Sequence, residues 1–151
     1  MDYKKGVLIA FGELFLKSKG VRKVFQRRLI NNLRFFLNQE GLAFKINSSR
    51  ERIFVETDQI LKAKKIIKRV FGIAWLAESF YFGGLKELLS FVDKNYQSYI
   101  KKDETFALRI KRDREFIDRI AKNINRRVDL ANPQKEIFIE NRGDDWFLYF
   151  K

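Results

Sequence analysis

Five consecutive apolar residues, Val7-Leu8-Ile9-Ala10-Phe11, leave the chain no polar position there with which to face water. A strand of this kind is covered on both faces, so it lies inside a sheet rather than at its edge. Gly12 ends it, and the following residues have to supply the cover. From Val21 to Asn38, Val21, Val24, Phe25, Leu29, Leu33, Phe36 and Leu37 recur at helical spacing, which puts Lys23, Arg27, Asn31 and Arg34 on the opposite face. Gly41 closes this helix. Ala43 to Asn47 and Arg52 to Glu56 then read as two strands turning at Ser48-Ser49-Arg50. Asp58 reads as the N-cap of a second helix to Val70, with Ile60, Ala63, Ile67 and Val70 inward and Lys62, Lys64, Lys65, Lys68 and Arg69 wet. Gly72 stops it, and Ile73 to Phe82 is extended.

The order strand, helix, strand, strand, helix, strand over residues 6 to 82 is that of a ferredoxin-like sandwich, with two helices on one face of an antiparallel sheet. Gly83-Gly84 marks a boundary. Beyond it a helix from Leu85 to about Lys101 precedes a strand, Thr105 to Lys111, in which Phe106, Leu108 and Ile110 alternate with Ala107, Arg109 and Lys111. The period of two puts Arg109 and Lys111 on one face. A helix is expected from Glu115 to Val128, and Pro133, the only proline, bars helical continuation beyond it. Ile137 to Asn141 and Trp146 to Phe150 complete a hairpin across Arg142-Gly143-Asp144-Asp145. The expectation is an α+β protein of two domains, residues 1–80 and 81–151.

Charge narrows the class of partner. The 151 residues carry 32 Lys and Arg against 19 Asp and Glu, a net +13, and neither Cys nor His. Disulfides, thiolate and imidazole chemistry, structural zinc and iron–sulfur ligation are thereby excluded from these residues. The longest apolar runs are five residues, far short of the ~18–20 that cross a bilayer, and no cleavable leader pattern follows Met1, so a cytoplasmic protein without membrane attachment is expected. A surplus of this size spread over many segments points to a polyanion, and to nucleic acid ahead of a membrane surface. Residues 1–77 hold 17 basic and six acidic side chains, a net +11, whereas residues 78–151 hold 15 and 13. The first half therefore supplies most of the long-range attraction, and the second recognises with fewer, better placed groups.

No glycine pattern matches a phosphate cradle, and Asp103-Glu104 and Asp144-Asp145 lie in expected turns without a basic or nucleophilic partner at useful spacing. No catalytic or metal-binding residue is assigned. The segment Lys17-Ser18-Lys19-Gly20-Val21-Arg22-Lys23 joins a buried strand to a helix start, where backbone amides and several cations converge on a place suited to phosphate. Phe25, Phe36, Phe106 and Phe116 occupy apolar positions of their elements and read as core. Phe138, Phe147 and Tyr149 lie off their hairpin's main apolar row, where a helix, a partner or a base is the alternative cover.

Gly12-Glu13-Leu14-Phe15-Leu16-Lys17, with Arg22 and the helix that follows, resembles the opening of the tRNA 4-thiouridine synthetases. The sequence from Phe106 through Arg109, Lys111 and Arg112, then Asp129-Leu130-Ala131-Asn132-Pro133, then Ile137 to Glu140 and Arg142-Gly143-Asp144 resembles a THUMP domain in its characteristic order. Two departures stand beside the match. Arg112 runs almost directly into the next helix, without the longer linker usual in the family, and Gln134 stands where Asp is common.

The resemblance implies a ferredoxin-like domain followed by a THUMP domain that dock the acceptor stem and single-stranded 3′ end of tRNA, so that uridine 8 reaches an ATP-pyrophosphatase domain. The loop and sulfur-relay cysteine of that domain do not occur in these residues. The implied part is non-catalytic, either a stand-alone subunit or a fragment, and it serves a separate ATP-pyrophosphatase subunit that brings ATP and the sulfur donor. On this reading Lys17, Lys19, Arg22, Lys23 and Arg27 form one clamp, and Arg109, Lys111, Arg112, Asn132 and Arg142 a second, together making one cradle. Apolar positions in the last hairpin permit a homodimer. The rival readings are a tRNA-binding module for another modification, favoured less by the Gly12-Glu13 signature, and a basic structural protein that meets RNA generally.

Overall fold

A computed structural model describes residues 3–12, 18–49, 51–112 and 114–150. The elements run β1 (Lys4–Phe11), α1 (Lys19–Gln39), β2 (Lys45–Ser49), β3 (Arg52–Glu56), α2 (Ile60–Ile67), β4 (Ile73–Phe82), α3 (Leu85–Tyr99) and β5 (Thr105–Ile110). A short 3-10 turn (Arg114–Phe116), α4 (Ile117–Ala121), β6 (Arg127–Val128), β7 (Lys135–Arg142) and β8 (Asp145–Tyr149) follow. Contacts group them into two compact units, residues 5–78 and residues from Ser79 onward together with Tyr3 and Lys4, so β4 contributes its first six residues to one and its last four to the other.

In residues 5–78 the strand order is β2-β3-β1-β4, with β1 and β2 both antiparallel to β3. The apolar run of β1 is interior, as its composition requires. Val7, Ile9 and Phe11 join a core with Leu29, Leu33 and Leu37 of α1 and Ala63, Ile66 and Ile67 of α2, while Leu8 and Ala10 are buried on the opposite face. Ser18 caps α1 by accepting the amide of Val21 at 3.2 Å.

Three local expectations are corrected. Val21, Val24 and Phe36 are exposed rather than inward: the buried stripe of α1 is the narrow one of Leu29, Leu33 and Leu37, and Phe36, directly before the fully buried Leu37, flanks it. Asp58 does not cap α2. It lies 3.7 Å from Lys5, while buried Thr57 accepts the amide of Gln59 at 3.1 Å and donates to the carbonyl of Ala43 at 3.0 Å. The helix ends at Ile67, before the left-handed Gly72 (φ 98°).

In the second unit β4, β8, β7, β5 and β6 are neighbours in that order. The pairs β4/β8 and β7/β8 are antiparallel, and β5 is parallel to both β7 and β6. The core joins Leu88, Phe91 and Val92 of α3 and Ile120 of α4 to Phe106, Leu108, Ile137, Ile139, Trp146 and Leu148. The hairpin turn falls where expected, with Gly143 at φ 69°.

The expected helix from Glu115 to Val128 is not continuous. Only Ile117–Ala121 is α-helical, and Arg127–Val128 pair with Thr105–Phe106 instead. Two bonds draw the chain out of the helix. Arg126 Nε donates at 3.0 Å to the carbonyls of Ile100 and Lys101, which follow α3, and the new strand pairs what would otherwise be an open edge of β5.

Candidate nucleic-acid interface

Cations attract a polyanion only in so far as no internal carboxylate already balances them. The residues assigned from sequence divide on this criterion. Arg22 Nη1 lies 3.7 Å from Glu51, and its Nε is buried with no hydrogen-bond acceptor among the described residues. Arg109 donates from Nε to Glu136 at 3.1 Å and from Nη2 to the carbonyl of Leu130 at 2.9 Å. Arg142 Nε lies 3.4 Å from Glu140, which also accepts the Tyr149 hydroxyl at 3.0 Å. By contrast Lys19, Lys23, Arg27, Lys111 and Arg112 are exposed and have no carboxylate partner among the described residues. Lys17 lies outside the described residues.

In the first unit the exposed side of α1 and the β2 strand flank a shallow groove, wide open to solvent, of about 540 Å³ and lined by Lys23, Gln26, Arg27, Ile30, Asn31, Arg34, Ser48 and Ser49. Gln26 Nε2 donates to the carbonyl of Ser49 at 3.3 Å and ties the helix to the strand. Helical periodicity puts Asn31 and Arg34 on this face but assigns them no role. The serines were missed because a turn was expected at Ser48-Ser49-Arg50, whereas β2 continues through Ser49.

In the second unit the segment from Asp129 to Gln134 is fastened to β5 at four places. The Asp129 amide donates to the Phe106 carbonyl at 3.0 Å, and Asp129 Oδ1 accepts the amides of Ala131 and Asn132 at 3.1 and 3.0 Å. Gln134 Oε1 accepts the amide of Thr105 at 3.0 Å, and Thr105 Oγ1 accepts the amide of Gln134 at 3.1 Å. Arg109 holds Leu130. Asn132 and the apolar Leu130 are thereby presented to solvent on a braced loop, and Gln134 takes part in the bracing.

The aromatic candidates are corrected. Phe147 and Tyr149 are 2% and 4% exposed, and the rings of Phe138 and Tyr149 stack at 5.4 Å, so the last hairpin presents neither Phe147 nor Tyr149 as a free face to a base or a second copy. Phe36 is exposed and meets the exposed Phe35 edge-on at 5.3 Å. Tyr81 donates its hydroxyl to Asp145 at 2.6 Å. That bond first, then burial and the charges of Asp145 and Asp144, push its pKa up to about 12. Among the described residues no group of three or more carboxylates is placed to hold a metal, and no helix is long and apolar enough to cross a membrane.

Residues 6–77 match the family model of the ThiI ferredoxin-like domain. Along 95% of its length the chain is 26% identical to a probable tRNA sulfurtransferase of Methanobrevibacter smithii, of which it spans 41%. The crystal structure of PH1313 from Pyrococcus horikoshii Ot3 superposes on all of this chain with a TM-score of 0.78 at 26% identity, 54% of that protein being covered. A 4-thiouridine synthetase solved with RNA and bound ATP shares the fold, with a TM-score of 0.68 at 17% identity, over 98% of this chain and 41% of that one. The common fold is α+β, a ferredoxin-like domain followed by a THUMP domain.

Proposed function

Since residues 6–77 are a ThiI ferredoxin-like domain that continues into a THUMP domain, we propose that these 151 residues are the tRNA-docking part of a 4-thiouridine-forming system. They hold the acceptor stem and the unpaired 3′ end, and uridine 8 is thereby brought to an ATP-pyrophosphatase module outside these residues. On this reading ATP activation belongs to that module, and so does sulfur transfer, since these residues, without Cys, supply no sulfur-carrying thiol. The chain spans about two fifths of the probable tRNA sulfurtransferase it is similar to.

The observation that carries this reading is the row of cations without a carboxylate partner among the described residues, Lys19, Lys23, Arg27 and Arg34, in the half of the sequence with a net +11. A surface of this kind gains affinity from counterion release along a phosphate backbone. Lys111 and Arg112, exposed cations without a carboxylate partner among the described residues, follow the far end of β5 from the braced loop at Asn132, and that loop is where single-stranded nucleotides offer edges to hydrogen-bond. Arg109 serves both, its charge shared with Glu136 and its fork holding the loop. Competition binding tests the reading: tRNA with an intact 3′ end is expected to displace the same tRNA trimmed of that end. Equal affinity overturns end docking and favours a general RNA-binding role. Thiolation of uridine 8 by the pyrophosphatase module is expected to rise when this protein is added, and an unchanged rate overturns its place in the system.

A further inference from the structure

We propose that the groove between α1 and β2 is a track for the sugar–phosphate backbone of base-paired RNA, separate in role from the site for the unpaired 3′ end. This rests on the tRNA-docking reading and adds to it which part of the RNA the first unit holds. Three cations, two hydroxyls and two carboxamides line the groove, and among the described residues no carboxylate does. Lys23, Arg27 and Asn31 follow one another at four-residue steps, and Lys19 precedes them at the same interval. On a helix each step is a rise of about 6 Å, comparable with the separation of neighbouring phosphates along one RNA strand, and residues so spaced share a face. Arg34 continues the row, so Lys19 to Arg34 extends about 22 Å, enough to follow several phosphates. Arg27 and Arg34 offer forked donors suited to phosphate oxygens. Ser48, Ser49 and Asn31 offer groups that pair with a 2′-hydroxyl, which RNA has and DNA lacks.

What the groove lacks selects between paired and unpaired RNA. Strands without a complement are held mainly by stacking their bases on rings, and among the described residues no aromatic side chain lines this groove. A duplex keeps its bases stacked internally and presents backbone and 2′-hydroxyls, which match the lining groups.

The test compares the full chain, a groove variant (Lys23→Gln, Arg27→Gln, Arg34→Gln) and a control that removes the same charge from α2 and the turn after it (Lys65→Gln, Lys68→Gln, Arg69→Gln). All six positions are exposed, and Gln keeps helix propensity. Binding is measured over a range of salt to a blunt RNA stem-loop, to the same stem-loop with a single-stranded 3′ extension, and to its DNA counterpart. The groove variant is expected to lose about tenfold to a hundredfold in affinity for both RNAs alike, and its log–log salt slope is expected to become shallower by about 2–3 units. The control should lose distinctly less, and DNA should bind the full chain more weakly than RNA. A groove variant no worse than the control, a loss confined to the extended RNA, or equal binding of DNA and RNA overturns the proposal. Failure of the full chain to prefer the extended RNA overturns only the end-docking reading, and failure to bind any RNA overturns both.

Discussion

Replacing Gly72 by Ala tests the packing that seats α1 on its sheet. Gly72 has φ 98°, and a Cβ built there lies 2.6 Å from Cζ of Phe25, with the two Cε atoms at 3.4 and 3.5 Å. Its carbonyl accepts the Gly12 amide at 3.3 Å, and the Phe25 ring is 6.1 Å from that of Phe11, so neither the backbone nor the ring is without ties. An L-residue at this φ costs about 1–3 kcal/mol, and displacing a packed ring costs about the same. The lower chain entropy of unfolded Ala offsets about 0.4–1 kcal/mol. The expected net loss is about 1–5 kcal/mol, or roughly 5–40 °C in Tm for a unit of this size. Hydrogen exchange in urea, read separately over residues 5–78 and 79–150, avoids treating two compact units as one transition. Protection should fall throughout the first unit. Shortening the ring with Phe25→Leu in the Gly72→Ala background should recover part of the loss, because the clash goes and only the backbone strain stays. A loss under about 0.5 kcal/mol, or strict additivity of the two substitutions, would refute the geometry at this contact.

The hydroxyl of Tyr81 should titrate near 12 rather than at the ordinary 10.0, read as the ultraviolet difference between the wild type and Tyr81→Phe. Because the folded value is the higher one, the stabilisation it reports is complete below pH 10 and is lost as pH rises from 10 to about 12. Asp145→Asn should return the titration toward 10, and an unchanged curve would remove the hydrogen bond as its cause. Ser18→Ala should cost α1 about 1 kcal/mol, seen as faster exchange in its first turn, whereas unaltered exchange would show the cap to be idle. Arg109→Lys gives up the simultaneous hold on Glu136 and Leu130. It should speed exchange of the Ala131 and Asn132 amides at a stability cost of about 0.5–1.5 kcal/mol, small because the pair is half-exposed. Unchanged exchange there would make Arg109 a ligand-facing cation and nothing more.

Features that depend on near neighbours in the chain were legible from the order of residues. An unbroken apolar run gives a buried strand, a three-to-four spacing gives the inner face of α1, and a Gly in a two-residue turn gives the last hairpin. The alternation that puts Arg109 and Lys111 on one side of β5 is of the same kind. Each follows from geometry repeated every two or 3.6 residues, and these repeats specify which way a side chain faces.

Periodicity does not say how wide a stripe the facing elements cover, and so Val21, Val24 and Phe36 carry the pattern of a core without being in it. Nor does it say which charges are already balanced. Glu136 lies 27 residues after Arg109, and Ser49 lies 23 after Gln26; Arg126 leaves its expected helix for carbonyls 25 and 26 positions earlier. A Coulomb interaction and a hydrogen bond depend on separation through space, and only the folded chain sets that separation. The sequence alone therefore determined how much positive charge there is and on which faces it lies. Tertiary structure decided which of it stays free, and that the free part borders a groove.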